Sequence, residues 1–282
     1  MKYGMNLFLW TAELSDDLLP MLERLKTMGY DGVEIPVLNL DVKKFQSWAK
    51  KLDDLGLART GCTVRLKDDN PISSDAKVRA AGVANNKLAL DCCQAAGVET
   101  LIGPYHSALG EFSGQGPTAD EWKWGVDSMR QVAEHAEKVG VQLGVEYLNR
   151  FECYLLNCAT DAVRFVKDVG HAKCGMMYDT FHANIEEKNI AQAIQTCADY
   201  TVHVHISEND RSTPGQGNVA WDETFDTLRK VCYDGWMVVE AFGLSMPELA
   251  AATKIWRKMY DTEEKLAAES LAFMKQHVAK RQ

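Results

Sequence analysis

At 282 residues, the chain is long enough for one α/β barrel, which typically takes about 250 residues, or for two smaller domains. Its net charge of −9 argues against a nucleic-acid partner, because neutralising phosphates needs clustered Lys and Arg. No segment approaches the roughly 20 apolar residues of a membrane helix, and the N-terminus lacks the features of a signal peptide. The eight cysteines are scattered without a CxxC pair, which is typical of a reducing cytosol. We therefore expect a cytoplasmic protein with no nucleic-acid or membrane partner.

The first half of the chain alternates between short strand patterns and amphipathic helix patterns. Strands are predicted at residues 3–9, 32–35, 58–64 and 100–103, and helices at 16–28, 42–55 and 75–96. Gly29, Gly56 and Gly97 follow these helices, and glycine is a common helix stop. Segment 104–118 is rich in Gly, Ser and Pro and is predicted to be a long functional loop.

The second half repeats the same alternation. Strands are predicted at 141–146, 173–179, 200–206 and 235–240, and helices at 119–139, 161–169, 190–198, 225–232 and 263–278. Gly140 is the expected C-cap of one helix, and Thr160 or Asp161 the N-cap of the next.

Eight β/α units in strict alternation imply a parallel sheet that closes into a single (β/α)8 TIM barrel over residues 1–282. An open doubly wound sheet is the alternative. It would normally carry a nucleotide fingerprint after an early strand, and neither GxGxxG nor GxxxxGK(S/T) occurs.

Four ionisable residues lie at or just beyond the ends of successive predicted strands: Glu146, Asp179, His205 and Glu240. They are 33, 26 and 35 residues apart, about one strand-plus-helix unit each time. A parallel barrel brings such strand ends together at its C-terminal mouth. One of these residues alone is often a helix cap or a surface charge, but four at a repeating spacing indicate a common site.

Three carboxylates and one imidazole favour Mn²⁺, Mg²⁺ or Co²⁺ over a thiolate-rich zinc site. An ion held in this way can act as a Lewis acid and stabilise an enediolate. The alternation in HVHIS places His203 on the same side of the strand as His205, one layer deeper. We interpret His203 as a packed or hydrogen-bonded core residue.

Three further polar residues, Glu152, His182 and Arg211, follow the candidate ligands within three to six residues. They are expected to face the same cavity and to bind substrate hydroxyls, although each alone could be a solvated loop charge. Arg150, next to the loop acids, is interpreted as structural.

The first half of the chain is expected to supply the far wall of the cavity. Asn6, Phe8 and Trp10 end the first predicted strand, Cys62 lies in the third, and Phe112, Trp122 and Trp124 flank the long loop. An aromatic wall would suit the apolar face of a sugar, although these residues could equally be ordinary core or surface aromatics.

Five motifs occur in order between residues 145 and 242: VEYLNRFE, YDTFHANIEE, HVHISENDR, PGQGNVAWDE and VVEAF. Together they resemble the ketose 3-epimerase family, which comprises D-tagatose, D-allulose (psicose) and L-ribulose 3-epimerases within the xylose-isomerase-like barrel superfamily. The resemblance extends over nearly the whole chain, and the DTFHxNIEE string is its most diagnostic part.

The resemblance implies that Glu146, Asp179, His205 and Glu240 bind Mn²⁺ or Co²⁺, with Mg²⁺ also possible, and that the two glutamates form an acid/base pair. The implied reaction is epimerisation of a free C5 or C6 ketose at C3. One glutamate removes the C3 proton, the metal holds the cis-enediolate, and the other glutamate returns a proton to the opposite face.

The resemblance also implies that Glu152, His182 and Arg211 hold the terminal oxygens of the sugar. Cys62 corresponds to a pocket position, and Asn6 to one that is often aromatic or Met in relatives, which leaves the substrate preference open. A free sugar is favoured over a phosphorylated one, because only Arg211 is an obvious basic group in the site. Family members are dimers or tetramers, so a homodimer or homotetramer is expected.

Several other functions remain alternatives at this point. An aldose–ketose isomerase, a hydroxypyruvate isomerase or an inosose dehydratase of the same superfamily would have a similar ligand set. A metal-dependent endonuclease would need more His and Asp ligands and a basic groove, which seven His and a charge of −9 disfavour. A non-catalytic sugar-binding barrel would need no acid/base pair.

Overall fold

The structure, a computed structural model, describes residues 1–281 and contains a closed barrel of eight parallel strands. The strands are β1 (Lys2–Asn6), β2 (Gly32–Pro36), β3 (Ala58–Cys62), β4 (Thr100–Gly103), β5 (Gln142–Glu146), β6 (Cys174–Asp179), β7 (Thr201–Ile206) and β8 (Trp236–Val239). They pair in sequence order, and β1 pairs with β8 to close the barrel. The predicted (β/α)8 TIM barrel is therefore confirmed.

Ten α-helices are described within this part of the chain. They are α1 (Leu19–Met28), α2 (Val42–Asp54), α3 (Ala76–Ala96), α4 (Ala119–Val139), α5 (Ala159–Val169), α6 (Thr180–Glu186), α7 (Ile190–Cys197), α8 (Trp221–Lys230), α9 (Pro247–Thr253) and α10 (Glu263–Ala279). Gly97 and Gly140 end α3 and α4 in the left-handed conformation, which glycine adopts without a Cβ clash. Within residues 1–281, no helix combines the length and the apolar character needed to cross a membrane.

Most of the buried apolar side chains form one large cluster around the sheet. A second, smaller cluster lies apart from it and joins strand residues such as Cys62, Ile102 and Met177 to Phe242 and Ile255 of the segment that follows β8. It also includes Phe8, Ala250 and the partly buried Leu249 and Met259. Helix α9 therefore packs on the apolar side chains of this second cluster.

The first strand and the fifth helix are among the elements whose bounds differ from the prediction, as is the third strand, which ends at Cys62 rather than at residue 64. The first strand stops at Asn6 rather than at residue 9, because the Asn6 side chain accepts the Phe8 N–H and begins a 3-10 turn. Phe8 and Trp10 thus lie beyond the strand. Helix α5 begins at Ala159, whose N–H donates to the Glu187 carboxylate from a distant part of the chain, and not at a Thr160 or Asp161 cap.

Three helical segments also differ from the prediction. Helix α8 begins at Trp221, four residues before the predicted start, because the indole N–H of Trp221 donates to buried Glu208 and anchors the first turn. Helices α6 and α9 were not predicted. Each has seven residues, and two turns are too short to produce a clear apolar periodicity.

Candidate active site

The structure brings the four strand-end residues together at the C-terminal mouth of the barrel. Glu146 and Asp179 are the last residues of β5 and β6, His205 is the second-last residue of β7, and Glu240 directly follows β8. All four side chains are buried, with at most 5% of each residue exposed. Burying so many ionisable groups is unfavourable unless they are paired or bind a cation.

The donor atoms of these residues fit a divalent cation. His205 Nδ1 lies 3.7 Å from Asp179 Oδ2 and 3.4 Å from Glu240 Oε1. This buried nitrogen has no hydrogen-bond partner among the described residues. Glu146 adds a carboxylate that groups with Asp179 on the other side. An imidazole nitrogen next to two carboxylates, with a third carboxylate beside them, matches the ligand set of a hard divalent ion.

The contacts of the two ring nitrogens distinguish the roles of His205 and His182. His182 Nδ1 accepts the Asn149 backbone N–H at 3.0 Å, and burial lowers the pKa of His182 to about 3. Nε2 of this ring lies 3.2 Å from Arg211 Nη2, which can only donate, and 3.5 Å from Glu146 Oε1. His205 has the opposite arrangement, because its Nε2 lies 2.6 Å from a carboxylate oxygen of Glu34 and its Nδ1 faces the site. His205 is therefore the ligand candidate, whereas both ring nitrogens of His182 already face donors of the protein.

The protein distinguishes electrostatically between the two glutamates of the site. Burial and the nearby Glu240 carboxylate raise the pKa of Glu146 well above its usual range. Burial acts in the same direction on Glu240, but the Arg211 guanidinium and His205 outweigh it and lower its pKa. The surroundings thus favour an acid at one position and a carboxylate at the other.

Arg211 lies in the loop after β7, and its backbone has a left-handed φ of +62°. Its Nη1 donates to Glu240 and lies 3.3 Å from Asp179 Oδ2, while the guanidinium stacks 3.7 Å above the Phe181 ring. Glu152 Oε2 is 4.0 Å from Nη2. The buried guanidinium therefore lies between the candidate ligands and the entrance.

A buried glutamate holds the loop that carries Arg211. Glu208 accepts backbone N–H groups from Gly215 at 2.7 Å and Val219 at 3.1 Å, together with the Trp221 indole N–H at 2.9 Å. Sequence reasoning missed Glu208, because its partners lie seven to thirteen residues away in a segment without periodicity.

Glu152 and His182 share one neighbour, Asn149. The Asn149 side-chain amide donates to Glu152 Oε1 at 3.0 Å, while its backbone N–H donates to His182. About a third of the Glu152 side chain is exposed, whereas His182 is buried. The three predicted substrate-binding residues, including Arg211, therefore lie together on one side of the mouth. Arg150 pairs with Glu186 at 2.8 Å, in agreement with its structural interpretation.

The first half of the barrel supplies an apolar wall, but with fewer aromatic residues than expected. Cys62 ends β3, and burial together with the nearby Glu34 raises the pKa of its thiol. Phe8 stacks on Phe242, with ring centroids 6.4 Å apart. Asn6 is buried, and its side chain bonds to Glu34 and to the Phe8 N–H. Its proposed contact with substrate stays a prediction.

The two tryptophans of α4 do not form part of this wall. Trp122 packs on Phe165 of α5, and Trp124 stacks under Arg79 of α3 at 4.4 Å. They lie on the helical layer because α4 turns these side chains towards its neighbouring helices. Phe112, in the long loop, is half exposed and packs against Tyr154.

Glu34 is a site component that sequence reasoning missed. It lies in the middle of β2, where it is fully buried. The only signal for it was one charged residue inside the otherwise apolar string GVEIP.

Comparisons with known proteins identify relatives that share the barrel fold. Residues 22–277 match the family model for the xylose isomerase-like TIM barrel. The chain is 33% identical to a D-psicose 3-epimerase of Agrobacterium fabrum, over 92% of this chain and 91% of that protein. It is 30% identical to a probable ketose 3-epimerase of Synechocystis sp., over 98% and 96% of the two chains. A solved L-ribulose 3-epimerase superposes with a TM-score of 0.93 at 30% identity, covering 99% of this chain and 95% of that one.

Proposed function

The chain belongs to the ketose 3-epimerases of the xylose isomerase-like TIM barrel family, and we propose that it inverts C3 of a free ketose with Glu146 and Glu240 as the proton carriers. The observation that carries this proposal is the pair of buried carboxyls on β5 and after β8, on either side of Asp179 and His205. These strands are three positions apart around the barrel. The two carboxyls can therefore face a sugar carbon from opposite sides.

Glu146, Asp179, His205 and Glu240 are the proposed ligands of a divalent ion, with Mn²⁺ or Co²⁺ favoured and Mg²⁺ possible. Support comes from the hard oxygen donors and from the unpartnered, inward-facing His205 Nδ1. When bound, the ion supplies Lewis-acid stabilisation of negative charge on the substrate oxygens next to C3.

Inversion at C3 requires a carboxylate on one face of the carbon and a carboxylic acid on the other. One glutamate removes the C3 proton, which leaves an enediolate, and the other donates a proton to the opposite face. Because the reaction is reversible, each glutamate acts as base for one epimer and as acid for the other. Burial of both side chains excludes bulk water, which would otherwise compete as a proton donor.

His182, Arg211 and Glu152 are proposed to hold the hydroxyls of the sugar away from C3, and Cys62 and Asn6 to shape the other side of the pocket. The substrate is proposed to be a free C5 or C6 ketose, since the arginines near the mouth already pair with carboxylates. Arg65 lies 2.9 Å from Asp69, Arg150 pairs with Glu186, and Arg211 pairs with Glu240. A substrate phosphate would have to compete with each of these carboxylates.

The proposal also includes one catalytic domain over residues 1–282, a cytosolic location and assembly into a homodimer or homotetramer. The eight free cysteines are consistent with a reducing compartment. Two exposed apolar side chains, Leu244 and Trp256, lie in the segment after β8 and could enter a subunit contact.

The decisive experiment is a panel of free ketoses, D-fructose, D-tagatose and L-ribulose, incubated with enzyme and Mn²⁺ in D₂O. We expect the C3 epimer of at least one sugar as product, with deuterium at C3. Formation of aldoses alone, with exchange at C1 or C2, would instead identify an aldose–ketose isomerase. A matched EDTA-treated sample is expected to lose activity and to regain it with Mn²⁺ or Co²⁺, and unchanged activity after chelation would contradict the metal-dependent mechanism.

A further inference from the structure

Glu34 is a fully buried carboxylate that none of the proposed chemical steps uses. Its Oε1 accepts the Asn6 amide at 2.9 Å and lies 2.6 Å from His205 Nε2. Its Oε2 accepts the Thr60 hydroxyl at 2.8 Å and lies 3.1 Å from His203 Nε2. Desolvating a carboxylate is unfavourable unless the carboxylate is paired or hydrogen-bonded, so a glutamate buried in the middle of a strand indicates a specific role.

We infer that Glu34 is a positioning residue that fixes the protonation site and the direction of the His205 ring. A neutral imidazole has one N–H donor and one acceptor nitrogen. Because the carboxylate accepts the proton at Nε2, the lone pair remains on Nδ1, the nitrogen that faces Asp179 and Glu240. The inference rests on the proposed metal-dependent function, since it gives His205 Nδ1 its task as a ligand.

The partners of Glu34 come from both sides of the barrel interior. Asn6 and Thr60 belong to β1 and β3, the neighbours of β2, and their bonds fix the orientation of the carboxylate. His205 belongs to β7, which does not pair with β2, so this contact crosses the interior. The ring of His203 packs edge-on against that of His205, with centroids 5.3 Å apart, and limits its rotation. The carboxylate and this packing together leave the His205 ring one orientation.

The first test is metal binding to Glu34→Gln, measured by calorimetric titration of the EDTA-treated protein with Mn²⁺. A glutamine amide can turn its N–H towards Nε2, which would move the imidazole proton to Nδ1 and oppose coordination. We expect affinity to fall about 10- to 100-fold, the usual effect of removing the carboxylate partner of a ligand histidine. Thr60→Val is the matched control, since it removes a donor from the same carboxylate but leaves the contact with His205 intact. Wild-type affinity in Glu34→Gln, or an equal loss in both variants, would overturn the inference.

A second measurement needs no variant and is therefore independent of folding defects. In ¹⁵N-labelled wild-type enzyme saturated with diamagnetic Mg²⁺, the ring nitrogens of His205 should show a proton on Nε2 and none on Nδ1. A proton on Nδ1 would overturn the inference. Failure of the proposed function would look different, because the wild-type protein itself would then bind no metal or leave every ketose unchanged.

Discussion

The two halves of the barrel mouth are built from the same β/α unit but carry different side chains. Strands β1 to β4 end in uncharged residues, namely Asn6, Pro36, Cys62 and Gly103. Strands β5 to β8 carry Glu146, Asp179 and His205 at or next to their ends, with Glu240 directly after the last one. The fold therefore provides eight equivalent positions, and the sequence places the ionisable groups on one side and the apolar wall on the other.

This division has one exception, which shows how the halves depend on each other. Glu34 belongs to the first half, yet its carboxylate contacts His205 of the second. The backbone carbonyl of Glu146 is likewise 2.7 Å from Nε2 of His106, which lies in the loop after β4. The first half of the barrel thus holds His205 and the Glu146 backbone in place, although it is not proposed to transfer protons.

The largest effect is expected when the proton carriers of the second half are neutralised. Glu146→Gln and Glu240→Gln keep the side-chain shape but remove the acid/base function, and we expect kcat to fall by about 10² to 10⁴ or more. Metal affinity, measured by Mn²⁺ titration, should weaken less, because three ligands remain. Glu187→Gln, which changes a carboxylate that caps α5, is the control and should keep wild-type turnover. Turnover within tenfold of wild type in either site variant would remove these glutamates from the mechanism.

An intermediate effect is expected on the free energy of unfolding in acid. It arises from His106, whose ring contacts the Glu146 carbonyl and so links the two halves. Burial lowers the pKa of His106 to about 4, from 6.5 for an unperturbed histidine. Between these values the unfolded chain binds a proton that the folded protein excludes, so stability is complete above pH 6.5 and is lost as pH falls towards 4. The shift corresponds to about 3 kcal/mol.

Urea unfolding at several pH values between 4 and 7 measures this contribution. His106→Gln can still donate an N–H towards the Glu146 carbonyl but does not titrate. We expect its stability to depend less on pH than that of the wild type, and identical pH dependence would show that His106 does not contribute.

The smallest effect is expected from the apolar wall of the first half. Cys62→Ala should change kcat/KM by up to about tenfold, and by different factors for C5 and C6 ketoses, because it alters only the packing around the sugar. Cys174→Ala, an equally buried cysteine at the opposite end of the barrel, is the matched control. If Cys62→Ala lost as much kcat as Glu240→Gln, the first half could not be described as contributing only packing around the sugar.

Much of this arrangement could be predicted from the sequence because it depends on local patterns. The strand at 100–103 and the helix at 119–139 were predicted with the bounds that the structure has, since apolar periodicity and flanking glycines mark them. The mouth residues could be located because each follows an apolar run at a regular spacing. Family resemblance added their proposed roles.

The parts that were missed depend on partners far apart in the chain. Glu34 is recognisable only once Asn6, Thr60 and His205 surround it, and no local pattern brings these residues together. Glu208 was missed for the same reason. For the two tryptophans of α4 the sequence left open a place in the cavity wall or in the core or surface, because a position near a loop does not show which way a helix turns its side chains.

The left-handed backbone of Arg211 has a consequence for how this protein can be improved. A non-glycine residue at φ +62° costs about 1 kcal/mol or more, which glycine would avoid. Replacing Arg211 by glycine would relieve this strain, but it would leave the buried carboxylates of Asp179 and Glu240 without their guanidinium, which costs more than the strain. Substitution by glycine is therefore expected to lower stability as well as activity, so libraries aimed at a more heat-resistant enzyme should leave this position unchanged.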